Sequence, residues 1–334
     1  MQYGPVMIDI SGKALMEEER ELLAHPRVGG VILFSRNFEN ITQIRGLIAE
    51  IRSVAKHPLL IAVDHEGGRV WRFQEGFTKL PPARYYGTLY AENKKEALHL
   101  AHNAGWVMAA ELLECGVDFS LAPVLDLDKG ISEVIGDRAF SRDPLVVTEC
   151  AKAFIEGMNA VGMQATGKHF PGHGSCAPDS HLEKPVDPRK FEELRADDLI
   201  PFTQLSSHLG AVMPAHITFP AVDSVPAGFS ARWLQTILRQ ELKFEGAIIS
   251  DCLSMKGAAI GGDFVVRAQM ALDAGCDMVI LCQQERELVQ WFLEHLGRET
   301  SILSNQRLAA MAGKFQNQAR HAEKPIFTTE FTVI

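Results

Sequence analysis

The chain predicts a (β/α)8 TIM-type barrel, on three observations. Eight short runs rich in Val, Ile and Leu, each the length of a buried parallel strand, alternate with helical patterns. Polar and ionisable residues gather at the C-terminal ends of these runs, where a barrel places its active site. No Gly-x-Gly-x-x-Gly follows the first run, so the doubly wound open sheet lacks its dinucleotide signature and stands second.

The predicted strands are 5–10, 30–34, 59–64, 118–124, 164–169, 210–216, 246–251 and 277–282. Pro123 and Pro214 weaken the fourth and sixth, because proline donates no ladder hydrogen bond. Between the strands, residues 41–54 place Ile41, Ile44, Ile48 and Ile51 at helical steps, and 95–115 do the same with Ala97, Ala101, Ala104 and Met108. Residues 145–161, 189–199, 231–241, 263–275 and 284–297 follow suit, with further helices just before residue 25 and near 303–319. No linker or composition break interrupts the chain, so residues 1–334 are expected as one catalytic barrel domain with a helical or extended segment from about 300.

Composition narrows the function classes. Of 334 residues, 46% are hydrophobic and 22% charged, which suits a globular protein with a full core. Thirty-three Lys and Arg against 42 Asp and Glu give a net charge of −9, a poor basis for binding nucleic acid through phosphates. No apolar stretch approaches the ~20 residues of a spanning helix, and residues 1–9 lack a secretory pattern. The six cysteines are scattered without a Cys-x-x-Cys pair. Together these predict a cytoplasmic protein.

Four segments carry chemistry. In Lys168-His169-Phe170-Pro171-Gly172-His173-Gly174, two polar residues leave a strand and enter a turn, with Asp179-Ser180-His181 in the loop beyond. An aspartate hydrogen-bonded to one imidazole nitrogen would free the other for proton transfer; a solvated surface Asp-x-His is the plainer alternative. In Asp64-His65-Glu66-Gly67-Gly68-Arg69-Val70-Trp71-Arg72, a carboxylate beside arginines suits sugar hydroxyls or an anionic group, or else an internal salt bridge. Asp251, at a strand tip inside an apolar run, is a candidate nucleophile or base, or a helix cap. Arg138 could reach the mouth from the loop after strand four, or pair with Asp137 or Asp143. Asp126, Asp128 and His216 complete the polar set at the strand ends. His169, His173, His181 and His216 also suggest a barrel metallohydrolase, but the first strand carries no His-x-His.

In this order, these segments closely resemble the bacterial β-N-acetylglucosaminidases (β-hexosaminidases) of glycoside hydrolase family 3, the NagZ type. The likeness also takes in Gly29–Asn37, Leu121–Asp128 and Met213–His216, and runs to about residue 285. Its most specific part is Lys168–Gly174 with Asp179-Ser180-His181.

The resemblance implies an exo-acting, retaining enzyme that removes N-acetylglucosamine from peptidoglycan fragments through a covalent glycosyl-enzyme, without cofactor or metal. Asp251 would be the nucleophile and His181 the general acid/base, oriented by Asp179; Asp64, Arg72, Arg138, Lys168 and His169 would hold the sugar. The implied partner is a glycan substrate, N-acetylglucosaminyl-anhydromuramyl-peptides, with no nucleic acid, membrane or obligate protein partner. The family leads one to expect a small or acidic residue after the nucleophile, whereas this chain has Cys252, a thiol open to oxidation or metal ions. Three alternatives remain at this stage: a phosphorylase using the same intermediate, a metal-dependent amidohydrolase, and a sugar-binding regulator on an inactive barrel.

Overall fold

The computed structural model describes residues 2–176 and 185–314. Eight parallel strands form one sheet: β1 (Val6–Asp9), β2 (Val28–Leu33), β3 (Leu60–Val63), β4 (Phe119–Ser120), β5 (Thr166–Phe170), β6 (Ala211–Pro214), β7 (Ala247–Cys252) and β8 (Met278–Leu281). Each strand lies within a residue or two of its expected run, except β4. There Pro123 truncates the ladder, while Pro214 is accommodated as the last residue of β6.

The sheet closes on itself. β1 pairs with β2 on one side and with β8 on the other, with Val6 opposite Val279. Between β4 and β5 the chain after the short strand continues the pairing: the Thr166 amide donates to the Ala122 carbonyl at 2.8 Å and the Leu125 amide to the Lys168 carbonyl at 2.7 Å. This ring is the barrel predicted from the alternation, and the open-sheet alternative falls away. Almost every strand residue is buried, as expected of parallel strands covered on both faces.

The helices form the outer layer: α1 (Glu17–Leu23), α2 (Ile41–Val54), α3 (Ala83–Glu92), α4 (Lys94–Cys115), α5 (Pro144–Val161), α6 (Phe191–Arg195), α7 (Leu199–Leu205), a wide helix with i to i+5 bonding at Arg232–Glu241, α8 (Phe264–Ala274), α9 (Arg286–His295) and α10 (Ile302–Ala310). In α2, Asn40 caps the first turn by accepting the Gln43 amide, and Ile44, Leu47, Ile48 and Ile51 face the core. In α4 the four residues singled out by periodicity are all buried. Helices α4 and α5 pass unusually close: a Cβ on Gly105 would lie 2.0 Å from the Phe154 carbonyl oxygen, and one on Gly157 2.0 Å from that of His102.

Some expectations are corrected. The helix expected at 189–199 is two helices, because Asp198 between them is drawn into an ion pair with Arg189. The helix near 303–319 spans Ile302–Ala310; residues 315–319 lie outside the described residues. Helix α3 went unpredicted because half of its apolar and aromatic side chains are tyrosines, and Tyr86 is the one residue it buries. A small hairpin, His65–Gly67 against Val70–Trp71, was too short to leave a periodic signal. Among the described residues no helix is long and apolar enough to cross a membrane.

At the N-terminal end of the barrel, buried aspartates fasten strands to helices. Asp118 accepts the Ile61 amide and an Arg52 hydrogen bond, both at 2.7 Å. Asp277 accepts the Ile248 amide at 2.8 Å and an Arg239 hydrogen bond at 2.9 Å. The opposite end carries a different polar set.

Candidate active site

At the C-terminal end of the strands a cavity of about 960 Å³ opens, and Asp64, Arg72, Arg138, Lys168, His169 and Asp251 all line it. Strand tips bring five of these together, whereas Arg138 arrives from the turn Gly136–Arg138. Lys168 and His169 are neighbours and would normally point to opposite faces. Register against β6 slips between Lys168 and Phe170, which breaks that alternation.

The centre of the site is an ion network with a member that the sequence reading left without a role. Lys168, fully buried, donates to Asp64 Oδ1 at 2.7 Å and approaches Glu66 Oε1 at 2.7 Å. Arg138 grips Glu66 with two hydrogen bonds of 2.8 Å, from Nε and Nη2. Glu66, not Asp137 or Asp143, is therefore the partner of Arg138. Asp137 pairs with Arg69 at 3.0 Å; Arg69 also ties down the carbonyls of Val134 and Ile135 and so shapes the loop. Burial works against a charged Glu66, but the Arg138 and Lys168 charges outweigh it and hold its carboxyl well below the usual range. Burial likewise opposes the Lys168 ammonium, and Asp64 with Glu66 reverses that, so its pKa is raised.

A second carboxylate organises β5. Asp126 accepts the His169 amide at 3.1 Å, the His173 amide at 2.7 Å and His169 Nδ1 at 2.7 Å. With Nδ1 donating, His169 leaves Nε2 to the cavity. Burial opposes the Asp126 charge, yet His169 keeps its pKa below the usual value. Asp128, grouped with Asp126 by sequence, turns away: it pairs with Arg84 and accepts the Gly130 amide at 3.0 Å.

Asp251 sits near the end of β7, half-buried and open to the cavity. It caps no helix; its Oδ1 accepts the Cys252 amide at 2.7 Å. Burial alone would favour its neutral form, but His169, His216, this hydrogen bond and Lys168 together lower its pKa. Asp251 is thus an ionised carboxylate with one oxygen held. His216 does not line the cavity. It is buried and stacked on Phe229, with centroids 5.3 Å apart, and burial lowers its pKa. Among the described residues, His169, His173 and His216 do not form a metal-ligand group. Arg72 faces the cavity with its Nε buried and without a hydrogen-bond partner among the described residues. Asp179 and His181 lie outside the described residues.

A polar pocket at the mouth of a closed barrel, walled by the carboxylates Asp64, Glu66 and Asp251 and the bases Arg72, Arg138, Lys168 and His169, is the arrangement of a barrel enzyme's active site. The particular family follows from comparison. The model of the glycosyl hydrolase family 3 N terminal domain matches residues 6–315, and the chain belongs to that family. A beta-hexosaminidase from Nitrosospira multiformis is 52% identical over 94% of this chain and 90% of its own length. One from Methylococcus capsulatus is 54% identical over 92% and 91%. The crystal structure of NagZ from Neisseria gonorrhoeae in complex with N-trifluoroacetyl-D-glucosamine superposes with a TM-score of 0.90, at 44% identity, covering 96% of this chain and 93% of that one. The chain is a glycoside hydrolase of the NagZ type.

Proposed function

We propose that the protein is an exo-acting, retaining β-N-acetylglucosaminidase with Asp251 as nucleophile. The observation that carries this reading is the ionised Asp251 on the cavity wall, with one oxygen fixed by the Cys252 amide and the other left for attack. Asp251 attacks the anomeric carbon and forms a glycosyl-enzyme; His181, oriented by Asp179, protonates the departing oxygen and then takes a proton from water. Asp64, Arg72, Arg138, Lys168 and His169 hold the N-acetylglucosamine, Arg138 acting through Glu66 as well as from the cavity wall. Support for the sugar's identity comes from the beta-hexosaminidase relatives and from the Neisseria protein bound to N-trifluoroacetyl-D-glucosamine. The substrate class we assign is the peptidoglycan fragment with a terminal N-acetylglucosamine, acted on in the cytoplasm during cell-wall recycling.

A proton NMR time course with an aryl β-N-acetylglucosaminide in phosphate-free buffer tests the mechanism. The β-anomer of free N-acetylglucosamine is expected first; appearance of the α-anomer first would make Asp251 a base and remove the covalent intermediate. Asp251→Asn is expected to lose about 4 kcal/mol of transition-state stabilisation, roughly 10³-fold in kcat. Titration with phosphate, looking for a sugar 1-phosphate, separates hydrolysis from phosphorolysis.

A further inference from the structure

The residue after Asp251 is Cys252, and its thiol does not stand alone. Cys252, on β7, brings its Sγ to 2.9 Å from Cys282 Sγ, just beyond β8, and to 3.1 Å from Ser254 Oγ. Both cysteines line the same cavity as Asp251, so a small solute entering the site reaches them. A disulfide needs an S–S separation of about 2.05 Å, so roughly 0.9 Å of approach would close the bond.

We propose that Cys252 and Cys282 form a reversible disulfide under peroxide, and that closing this bond turns the site off. The Cys252 sulfur attacks one peroxide oxygen; the O–O bond breaks, and Cys252 becomes a sulfenic acid with loss of one water. The Cys282 sulfur then attacks Cys252 Sγ and displaces hydroxide, which takes the Cys282 proton and leaves as the second water. Two thiols are oxidised and one peroxide is reduced. The order of attack follows the local chemistry. The Cys282 hydrogen bond lowers the Cys252 pKa against burial, with help from Ser254, whereas the same contact together with burial raises that of Cys282. Burial instead raises Cys150 and Cys176 to about 12. The link to activity runs through the backbone: the Cys252 amide is the group that holds Asp251 Oδ1, so pulling Cys252 toward β8 moves that donor. This last step rests on the assignment of Asp251 as nucleophile; the disulfide itself does not.

The full chain is exposed to a small excess of hydrogen peroxide, alkylated, digested and examined by mass spectrometry, with glycosidase activity followed in parallel. The expected result is a peptide pair joined at Cys252 and Cys282, lighter by two hydrogens, with activity falling in step with the joined fraction and both reversed by dithiothreitol. Cys282→Ser is expected to give no joined peptide. Thiols that both remain alkylatable after peroxide overturn the pair. A joined peptide with unchanged activity overturns the switch. The mass readout stands even if the glycoside is not turned over, so failure of the pair and failure of the proposed function are told apart.

Discussion

Glu66 is clamped between Arg138 and Lys168, with its side chain only 8% exposed. Removing its charge leaves Arg138 without its ionic partner, while Lys168 keeps Asp64. Glu66→Gln is therefore expected to cost about 3 kcal/mol at pH 7, the lower end for a broken buried pair. Its folded-state pKa is depressed, so this contribution is fully present above the unfolded glutamate value of about 4.3 and is lost as pH falls through the folded value. Urea unfolding of both proteins from pH 7 downward should show the stability gap constant above about pH 5 and closing below about pH 4.3. For Arg72, whose Nε awaits a partner, Arg72→Ala should lower kcat/KM by about 10–150-fold, the worth of one charged hydrogen bond, with no comparable loss of unfolding free energy. The individual residues were unevenly legible. Lys168, His169 and Asp251 were visible as polar residues at the ends of apolar runs. Glu66 lies two residues beyond Asp64, but its importance depends on Arg138, far along the chain, and no local spacing announces that pairing.

Elements were read most clearly where periodicity was long. Helices α2, α4 and α5 were found within a residue of their bounds, because each repeats its apolar face over several turns. The hairpin after β3 gives only three and two residues to its strands, too few for a pattern, yet it carries Glu66 into the site. Composition also left the direction of aspartates open. Asp118 opens its strand run and fastens the barrel floor, while Asp251 nearly closes its own and faces the cavity. Position alone does not decide it: Asp9 also closes its strand, yet it is buried in ion pairs with Arg36 and Arg286 and stays out of the cavity lining. The crossing of α4 and α5 offers a separate test. Gly105→Ala would set a methyl 2.0 Å from the Phe154 carbonyl oxygen, so the helices must part, at about 1–3 kcal/mol. Urea denaturation should register this loss, with KM unchanged because the crossing lies outside the cavity lining.

For the whole molecule, the count of strand–helix units was legible from the alternation, and the closing of the ring from the polar residues at the strand ends and the missing Gly-x-Gly-x-x-Gly, since an open sheet alternates in the same way. Closure rests on the short seam between β4 and β5, where Lys168 itself accepts the Leu125 amide. Hydrogen exchange should therefore be faster at the Leu125 and Thr166 amides than along β2 and β3, and on the proposed function N-acetylglucosamine should slow it, because Lys168 belongs to the seam and lines the cavity. The other side of the ring carries a consequence for how the chain is born. The pairing of Val6 with Val279 joins the first strand to the last. On a ribosome adding about 5–20 residues per second, β1 emerges tens of seconds before β8 exists. Throughout that interval one edge of the nascent sheet presents unpaired backbone groups, the feature that invites association between chains. The cell must shield that edge or outrun its neighbours, and a transcript truncated before β8 would yield a sticky, open sheet rather than a weakened enzyme.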